Sequence, residues 1–102
     1  MITICIIEDL IEIKNGLQII IENDSRFSLL KCFENAETAI TDLPHLKPDI
    51  VLTDINLPGK SGIDCITEVK TKIPDTQFIM FTIYEDNDQV FEALKAGASG
   101  YI

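Results

Sequence analysis

Two kinds of hydrophobic pattern alternate along the chain. Short runs of consecutive apolar residues indicate buried strands at residues 3–8, 27–33, 49–53 and 77–82, and residues 100–102 open a fifth strand. Between these runs, apolar residues recur at the spacing of an α-helix. The pattern therefore predicts a βαβαβαβαβ order.

Local signals predict where the first helix begins, where the second helix ends, and which residues of the first helix face inward. Asp9, with Glu12 three residues later, resembles a capping box at the start of the first helix. Pro44 is expected to end the second helix, because proline cannot donate a helical hydrogen bond. The predicted inward face of the first helix consists of Leu10, Ile13, Leu17, Ile20 and Ile21.

The third and fourth helices have comparable signals. Ser61 can cap the third helix, and Asp86 with Gln89 suggests a second capping box before the fourth. Gly97 is expected to end the fourth helix. Its apolar residues, which we expect to be core residues, are Val90, Phe91 and Leu94.

Short strands that alternate with helices predict an α/β fold with a parallel sheet and right-handed crossovers. A chain of 102 residues has room for one domain. The expected architecture is a doubly wound, three-layered, flavodoxin-like sheet with strand order 2-1-3-4-5. Residues 1–102 are thus expected to form a single unit with an incomplete last strand.

Composition and charge narrow the classes of function. The chain has 17 acidic and 8 basic residues and a formal charge of −9, which disfavours direct contact with nucleic acid. No apolar run is long enough for a membrane span, and no secretory leader is recognisable. Cys5, Cys32 and Cys65 lie in apolar runs at wide spacings, which predicts buried, reduced thiols in a cytoplasmic protein.

Three carboxylates are predicted to converge at one edge of the sheet. Glu8 and Asp9 follow the first strand and Asp54 follows the third, and these strands are neighbours in the expected order. Clustered carboxylates repel one another unless a cation lies between them, and oxygen ligands suit Mg²⁺. We expect direct ligation by Asp9 and Asp54, ligation through water by Glu8, and a further ligand in the backbone carbonyl of Asn56.

Each of these residues also has an ordinary structural interpretation. Asp9 can serve as a helix cap, Asp54 as a turn residue, and Thr82 as a common strand residue at the end of the fourth strand. Their joint occurrence at strand ends on one edge of the sheet favours a functional site.

The chain resembles the receiver domain of two-component response regulators, the CheY-like fold. The resemblance rests on the acidic pair Glu8 and Asp9, on Asp54 within the motif DINLPGKSG, on Thr82, and on the segment ALKAGASGY ending at Tyr101. That last segment is most similar to regulators of the LuxR/NarL type, which carry a C-terminal helix-turn-helix domain.

The resemblance implies a role for each matched residue. Asp54 would accept a phosphoryl group from a sensor histidine kinase, with Mg²⁺ held at Glu8, Asp9 and Asp54. Thr82 would hydrogen-bond a phosphoryl oxygen, and Tyr101 would be the aromatic switch residue. Asn56 and Tyr84 would tune the lifetime of the phosphoryl group. The chain would then be a regulatory phosphoacceptor, and its partners would be the kinase and a C-terminal output domain that binds DNA.

The family pattern also has a lysine shortly after the aromatic switch, followed by a final helix. The sequence ends at Ile102, so we expect a truncated receiver domain. An uncovered sheet face would favour self-association, for example as a homodimer.

Two other classes of function remain open at this point. A Mg²⁺-dependent phosphatase could use Asp54 as its nucleophile, although the residue two positions later is Asn56, which cannot act as a general acid. A flavodoxin-like carrier would need a phosphate-binding loop after the first strand, where Glu8 and Asp9 would repel a phosphate group.

Overall fold

The computed structural model describes residues 1–81 and 87–102, with positions 87 and 101 described for their backbone alone. Strands and helices alternate as predicted, and the first and third strands lie one residue from their predicted bounds. The elements are β1 (Ile2–Ile7), α1 (Ile11–Glu22), β2 (Phe27–Phe33), α2 (Ala36–Leu46), β3 (Ile50–Asp54), α3 (Gly62–Val69), β4 (Gln77–Phe81), α4 (Asn87–Ala96) and β5 (Gly100–Tyr101).

The strands form one parallel sheet in the order β2-β1-β3-β4-β5, which confirms the doubly wound fold and the predicted strand order. Ile7 of β1 pairs with Thr53 of β3, and Thr53 pairs in turn with Met80 of β4. Because β1 and β3 are neighbours, the residues at their carboxyl ends leave the sheet side by side. None of the helices in the described ranges is long and apolar enough to cross a membrane.

Each face of the sheet has its own apolar core, because successive side chains of a strand point to opposite faces. Cys5 and Ile7 of β1 belong to the larger core, which residues of α2, α3 and α4 complete. Ile4 and Ile6 point to the other face and pack with Ile21 of α1. The helices therefore cover the sheet from both sides in three layers.

Helix α1 does not begin as predicted. Its N-cap is Leu10, which makes no side-chain cap hydrogen bond, so the proposed capping box of Asp9 and Glu12 is wrong. The backbone N–H of Leu10 instead donates to Oε1 of Glu8 at 3.0 Å. The acidic residue that supports this helix start is therefore the one buried at the end of β1.

The predicted inward face of α1 is correct only in part. Ile21 is buried and Ile13 and Leu17 are half-buried, whereas Ile20 is 68% exposed and Leu10 is 48% exposed. A helix turns by 3.6 residues, so adjacent isoleucines cannot both point at the sheet. The packing of α1 on β1 and β2 decides that Ile21 is the inward residue.

Helix α2 continues past Pro44 to Leu46, so the predicted helix end at the proline is wrong. Pro44 lies in the last turn, where only the carbonyl of Ile40 loses a helical donor. Leu43 is fully buried, and its carbonyl accepts the N–H of Lys47 at 2.9 Å. The buried leucine and this hydrogen bond keep the last turn helical.

Helix α4 also differs from the prediction. Phe91 is 61% exposed and Leu94 is 48% exposed, so neither is the core residue that the pattern indicated. Ala93 is the buried residue among positions 88–96 of this helix. Its side chain belongs to the larger core, so α4 is turned with Ala93 inward and with Phe91 and Leu94 outward.

Two of the predicted helix ends are confirmed. Ser61 caps α3 in a capping box, because its hydroxyl accepts from the N–H of Asp64 and its own N–H donates to the Asp64 carboxylate. Gly97 follows α4 with a φ of +121°, a conformation that residues with side chains rarely adopt.

Gly62 and Gly16 form a matched pair for testing the packing. A Cβ on Gly62 would lie 2.2 Å from the Asp54 carbonyl oxygen, whereas a Cβ on Gly16 of α1 would meet nothing within 4 Å. We expect Gly62→Ala to lower the free energy of unfolding by about 1–3 kcal/mol. Gly16→Ala should raise it by about 0.5–1 kcal/mol through helix propensity. Urea denaturation measures both, and equal effects would contradict the close approach at Gly62.

Candidate functional site

Two acidic side chains meet at the carboxyl edge of the sheet. Glu8 directly follows β1 and Asp54 ends β3, and the pairing of Ile7 with Thr53 sets them beside each other. The Glu8 side chain is fully buried and Asp54 is 6% exposed, whereas Asp9 is exposed. The sheet therefore brings the three carboxyl groups together, as the sequence predicted, and it buries two of them and leaves one exposed.

The three carboxyl groups have a spacing suited to one cation. One oxygen each from Glu8, Asp9 and Asp54 lie within 4.8 Å of one another. Oxygen ligands of Mg²⁺ lie about 2.0–2.1 Å from the ion, so opposite ligands are about 4.2 Å apart. Small rearrangements would therefore suffice to place all three oxygens around one ion.

Glu8 provides a second indication of a ligand. Its Oε1 accepts the N–H of Leu10, but its Oε2 is buried and has no hydrogen-bond partner within the described ranges. A buried polar atom without a partner is costly. A cation, a water molecule bound to one, or a proton shared with Asp54 would provide the missing interaction.

The electrostatics of the pair follow from burial. Burial raises the pKa of Glu8 to about 7, and the nearby Asp54 adds to this, while the hydrogen bond from Leu10 opposes it. Burial also raises the pKa of Asp54, against the opposing hydrogen bond from the N–H of Asn56. Without a cation, the pair therefore tends to retain a proton near neutral pH.

The β3–α3 loop, residues 55–61, forms one side of the site. The N–H of Asn56 donates to Oδ1 of Asp54 at 3.2 Å, and the N–H of Gly62 donates to the carbonyl of Ile55 at 3.0 Å. The Thr53 hydroxyl donates to the Asp54 carbonyl at 3.0 Å. These bonds fix the backbone on both sides of the phosphoacceptor candidate. Ligation by the Asn56 carbonyl stays a prediction.

Some predicted residues lie outside what the structure describes. Thr82, Tyr84 and Asp86 fall between the two described ranges, and their assigned roles stay predictions. Tyr101 is described for its backbone, which pairs with Met80 of β4. Its role as a switch residue likewise stays a prediction.

Three residues near the site were not singled out from the sequence. Thr53 and Gly62 contact the Asp54 backbone, and Glu37 of α2 accepts the backbone N–H of Lys60 in the β3–α3 loop at 3.2 Å. Gly62 belongs to the motif that carries the resemblance, so its spacing from Asp54 was an available signal. Glu37 had no such signal, because only the tertiary packing of α2 brings it to the loop.

Comparison with known proteins identifies the family. The family model of the response regulator receiver domain matches residues 4–102. The chain belongs to this family. It is therefore a regulatory domain of the two-component type, as the resemblance of its motifs implied.

The relatives include regulators with longer chains. The transcriptional regulatory protein YdfI of Bacillus subtilis is 31% identical over 99 residues, and the nitrate/nitrite response regulator protein NarL of Escherichia coli is 28% identical over 100 residues. These matches cover 97% and 98% of this chain and 46% of each relative. The receiver domain described here thus spans about half the length of the curated relatives it matches.

Solved structures agree with this fold. A LuxR-family two-component response regulator from Aurantimonas is similar with a TM-score of 0.91 and 26% identity, over 97% of this chain and 71% of that chain. The response regulator domain of Thermotoga maritima CheB gives a TM-score of 0.90 and 25% identity, over 99% and 76% of the two chains.

The raised pKa of Glu8 predicts a pH-dependent stability. The folded pKa is about 7 and the ordinary value is 4.5, so the folded protein retains a proton that the unfolded chain loses over this window. Stability from this group is therefore full below about pH 4.5 and is lost as the pH rises to about 7. The loss is on the order of 3 kcal/mol.

Glu8→Gln isolates this effect, because the amide cannot titrate. In metal-free buffer we expect the free energy of unfolding of the unsubstituted protein to fall relative to Glu8→Gln between pH 5 and pH 8. Chemical denaturation at several pH values measures the difference. A difference that does not change with pH would contradict the raised pKa.

Proposed function

We propose that this receiver domain, residues 1–102, is a phosphorylatable signalling switch in which Asp54 accepts a phosphoryl group from a sensor histidine kinase. The observation that supports the proposal is the buried pair of Glu8 and Asp54, with one Glu8 oxygen lacking a partner among the described residues. This pair carries unbalanced negative charge at the carboxyl edge of the parallel sheet. Ligands of doubly wound folds bind at that edge.

The residues present fit Mg²⁺. The donor set is three carboxylates, which are hard oxygen ligands, and the buried Oε2 of Glu8 lacks a partner within residues 1–81 and 87–102. Glu8, Asp9 and Asp54 would hold the ion, with the carbonyl of Asn56 as a further ligand. The bound ion would supply positive charge that offsets repulsion between the carboxylates and an incoming phosphoryl group.

Asp54 supplies the nucleophile of the proposed reaction. One of its carboxylate oxygens forms a bond to phosphorus as the bond from phosphorus to the donor imidazole nitrogen breaks, which leaves an acyl phosphate on Asp54 and an imidazole on the donor. The N–H of Asn56, already 3.2 Å from Oδ1 of Asp54, orients the carboxylate. The Thr53 hydroxyl holds the Asp54 backbone further, because it donates to the Asp54 carbonyl.

The response to phosphorylation is proposed from the family pattern. Thr82 would donate a hydrogen bond to a phosphoryl oxygen, and Tyr101 would change its position as Thr82 moves. Asn56 and Tyr84 would set the lifetime of the phosphoryl group. The domain would be regulatory and would not turn over an external substrate. Its own chemistry would be limited to accepting the phosphoryl group from donors and losing it again.

The proposed partners are the kinase and an output domain. The relatives named above are regulators about twice as long as this chain, and one is a transcriptional regulatory protein, so we propose a DNA-binding output domain in the whole protein. The receiver domain, with a formal charge of −9, would not contact DNA itself. The free thiols of Cys5, Cys32 and Cys65 suit a cytoplasmic location.

The alternative functions receive less support. A phosphatase would need a general acid near Asp54, and Asn56 cannot release a proton. A flavin carrier would bind its phosphate after β1, where Glu8 and Asp9 are acidic. Family membership agrees with the switch and with neither alternative.

Phosphorylation of Asp54 is the direct test. Incubation with acetyl phosphate and Mg²⁺ should add one phosphoryl group, measured by intact mass, and Asp54→Asn should remain unmodified because an amide is not a nucleophile. Asp49→Asn is the matched control, since Asp49 is an exposed aspartate just before the opposite end of β3. If Asp54→Asn is labelled as much as the control, Asp54 is not the phosphoacceptor.

Mg²⁺ binding is tested separately through stability. A ligand that binds only the folded state raises stability by about 2.7 kcal/mol at about 100 times its dissociation constant. We expect the thermal midpoint to rise with Mg²⁺, and Asp9→Ala to lose most of the rise. Glu12→Ala removes the same charge from the exposed first turn of α1 and should keep it. An unchanged midpoint in the unsubstituted protein would count against the metal site.

A further inference from the structure

Glu37, in the first turn of α2, contacts the backbone of the β3–α3 loop. Its Oε1 accepts the N–H of Lys60 at 3.2 Å. A Cβ on Gly59 would lie 2.6 Å from its Oε2, so the carboxylate occupies the space that a side chain at position 59 would need. Gly59 has a φ of +76°, which favours glycine for a second reason. Both carboxylate oxygens of Glu37 thus lie against the turn at residues 59 and 60.

The same loop begins at the phosphoacceptor candidate. Ile55 and Leu57 are buried in the larger core, and the N–H of Asn56 donates to Asp54. Only three residues separate Asn56 from Lys60, and one of them is Pro58, whose φ is fixed by its ring. We therefore expect a displacement of the backbone at Lys60 to reach the Asn56 carbonyl.

We propose that Glu37 is a positioning residue for the metal site: by accepting the Lys60 N–H, it holds the β3–α3 loop so that the Asn56 carbonyl faces the three carboxylates. This inference rests on the proposed function, because it assumes Mg²⁺ at Glu8, Asp9 and Asp54 and the Asn56 carbonyl as a further ligand. Glu37 itself touches neither the ion nor the reacting atoms. Groups hydrogen-bonded directly to metal ligands commonly change affinity by about 10–100-fold, and Glu37 acts through the loop, so the low end of this range is expected.

The chain offers two matched controls. Glu37→Gln keeps an oxygen that can accept the Lys60 N–H but removes the charge. Glu68→Ala removes the same charge from another partner of Lys60, because the Glu68 carboxylate pairs with the Lys60 ammonium at 2.9 Å and not with its backbone. Glu37→Ala removes both the charge and the acceptor. Together these variants separate positioning from electrostatic attraction of the cation.

The experiment is titration calorimetry with Mg²⁺ alone, beside amide hydrogen exchange of Lys60 in metal-free protein. We expect Glu37→Ala to bind Mg²⁺ about tenfold more weakly and to exchange the Lys60 amide faster. Glu37→Gln and Glu68→Ala should resemble the unsubstituted protein in both measurements. Glu37 is exposed, so the thermal midpoint of each metal-free variant should show an intact fold.

Gly59→Ala gives an independent check. Its Cβ would displace the Glu37 carboxylate and strain the turn, so it should weaken Mg²⁺ binding at least as much as Glu37→Ala does. The double variant should then bind no more weakly than Gly59→Ala alone, because both changes break the same contact. Additive losses would overturn the assignment of the effect to this contact.

The remaining outcomes distinguish this inference from the proposed function. If the unsubstituted protein binds Mg²⁺ and Glu37→Ala binds it equally well, the positioning role is wrong and the metal site stands. Equal losses of Mg²⁺ affinity in Glu37→Gln and Glu68→Ala would also overturn it, because the loss of one negative charge would then explain the effect. If the unsubstituted protein binds no Mg²⁺, the proposed metal site fails and this inference with it, even where Lys60 exchange confirms the contact.

Discussion

The rest of the site depends on the burial of two carboxyl groups side by side. Glu8 and Asp54 leave adjacent parallel strands at the same level, and the sheet register does not allow them to separate. The hydrogen bonds from Leu10 and Asn56 stabilise only part of the charge, and one Glu8 oxygen keeps no partner within the described ranges. Folding thus stores an unfavourable interaction that a proton or a cation relieves.

The surrounding backbone keeps this arrangement in place. Gly62 approaches the Asp54 carbonyl so closely that no side chain fits, and the Thr53 hydroxyl donates to the same carbonyl. On the far side of the loop, the Glu37 carboxylate lies against the turn. The acidic pair and the loop are therefore held by different elements, β1, β3 and α3 for the pair and α2 for the turn. The backbone around the site is consequently already ordered before a ligand binds.

The faces of the helices were the least predictable part of the fold. In α1, Ile20 and Ile21 have the same side chain, and only contact with the sheet decides which one is buried. In α4, the apolar residues Phe91 and Leu94 are exposed and Ala93 is buried. Apolar side chains on both sides of a helix provide no unique stripe, so hydrophobic spacing alone cannot orient it.

The sequence by itself determined the order of the elements, the parallel sheet and the convergence of Glu8, Asp9 and Asp54, because strand ends and neighbouring strands follow from the βα alternation. The tertiary structure alone decided how deeply each carboxyl group is buried and which atoms pair with it. It also decided that Glu37 reaches the loop. The physical reason is range: hydrophobic periodicity is a local property, whereas burial and contacts between residues distant along the chain depend on how whole layers pack.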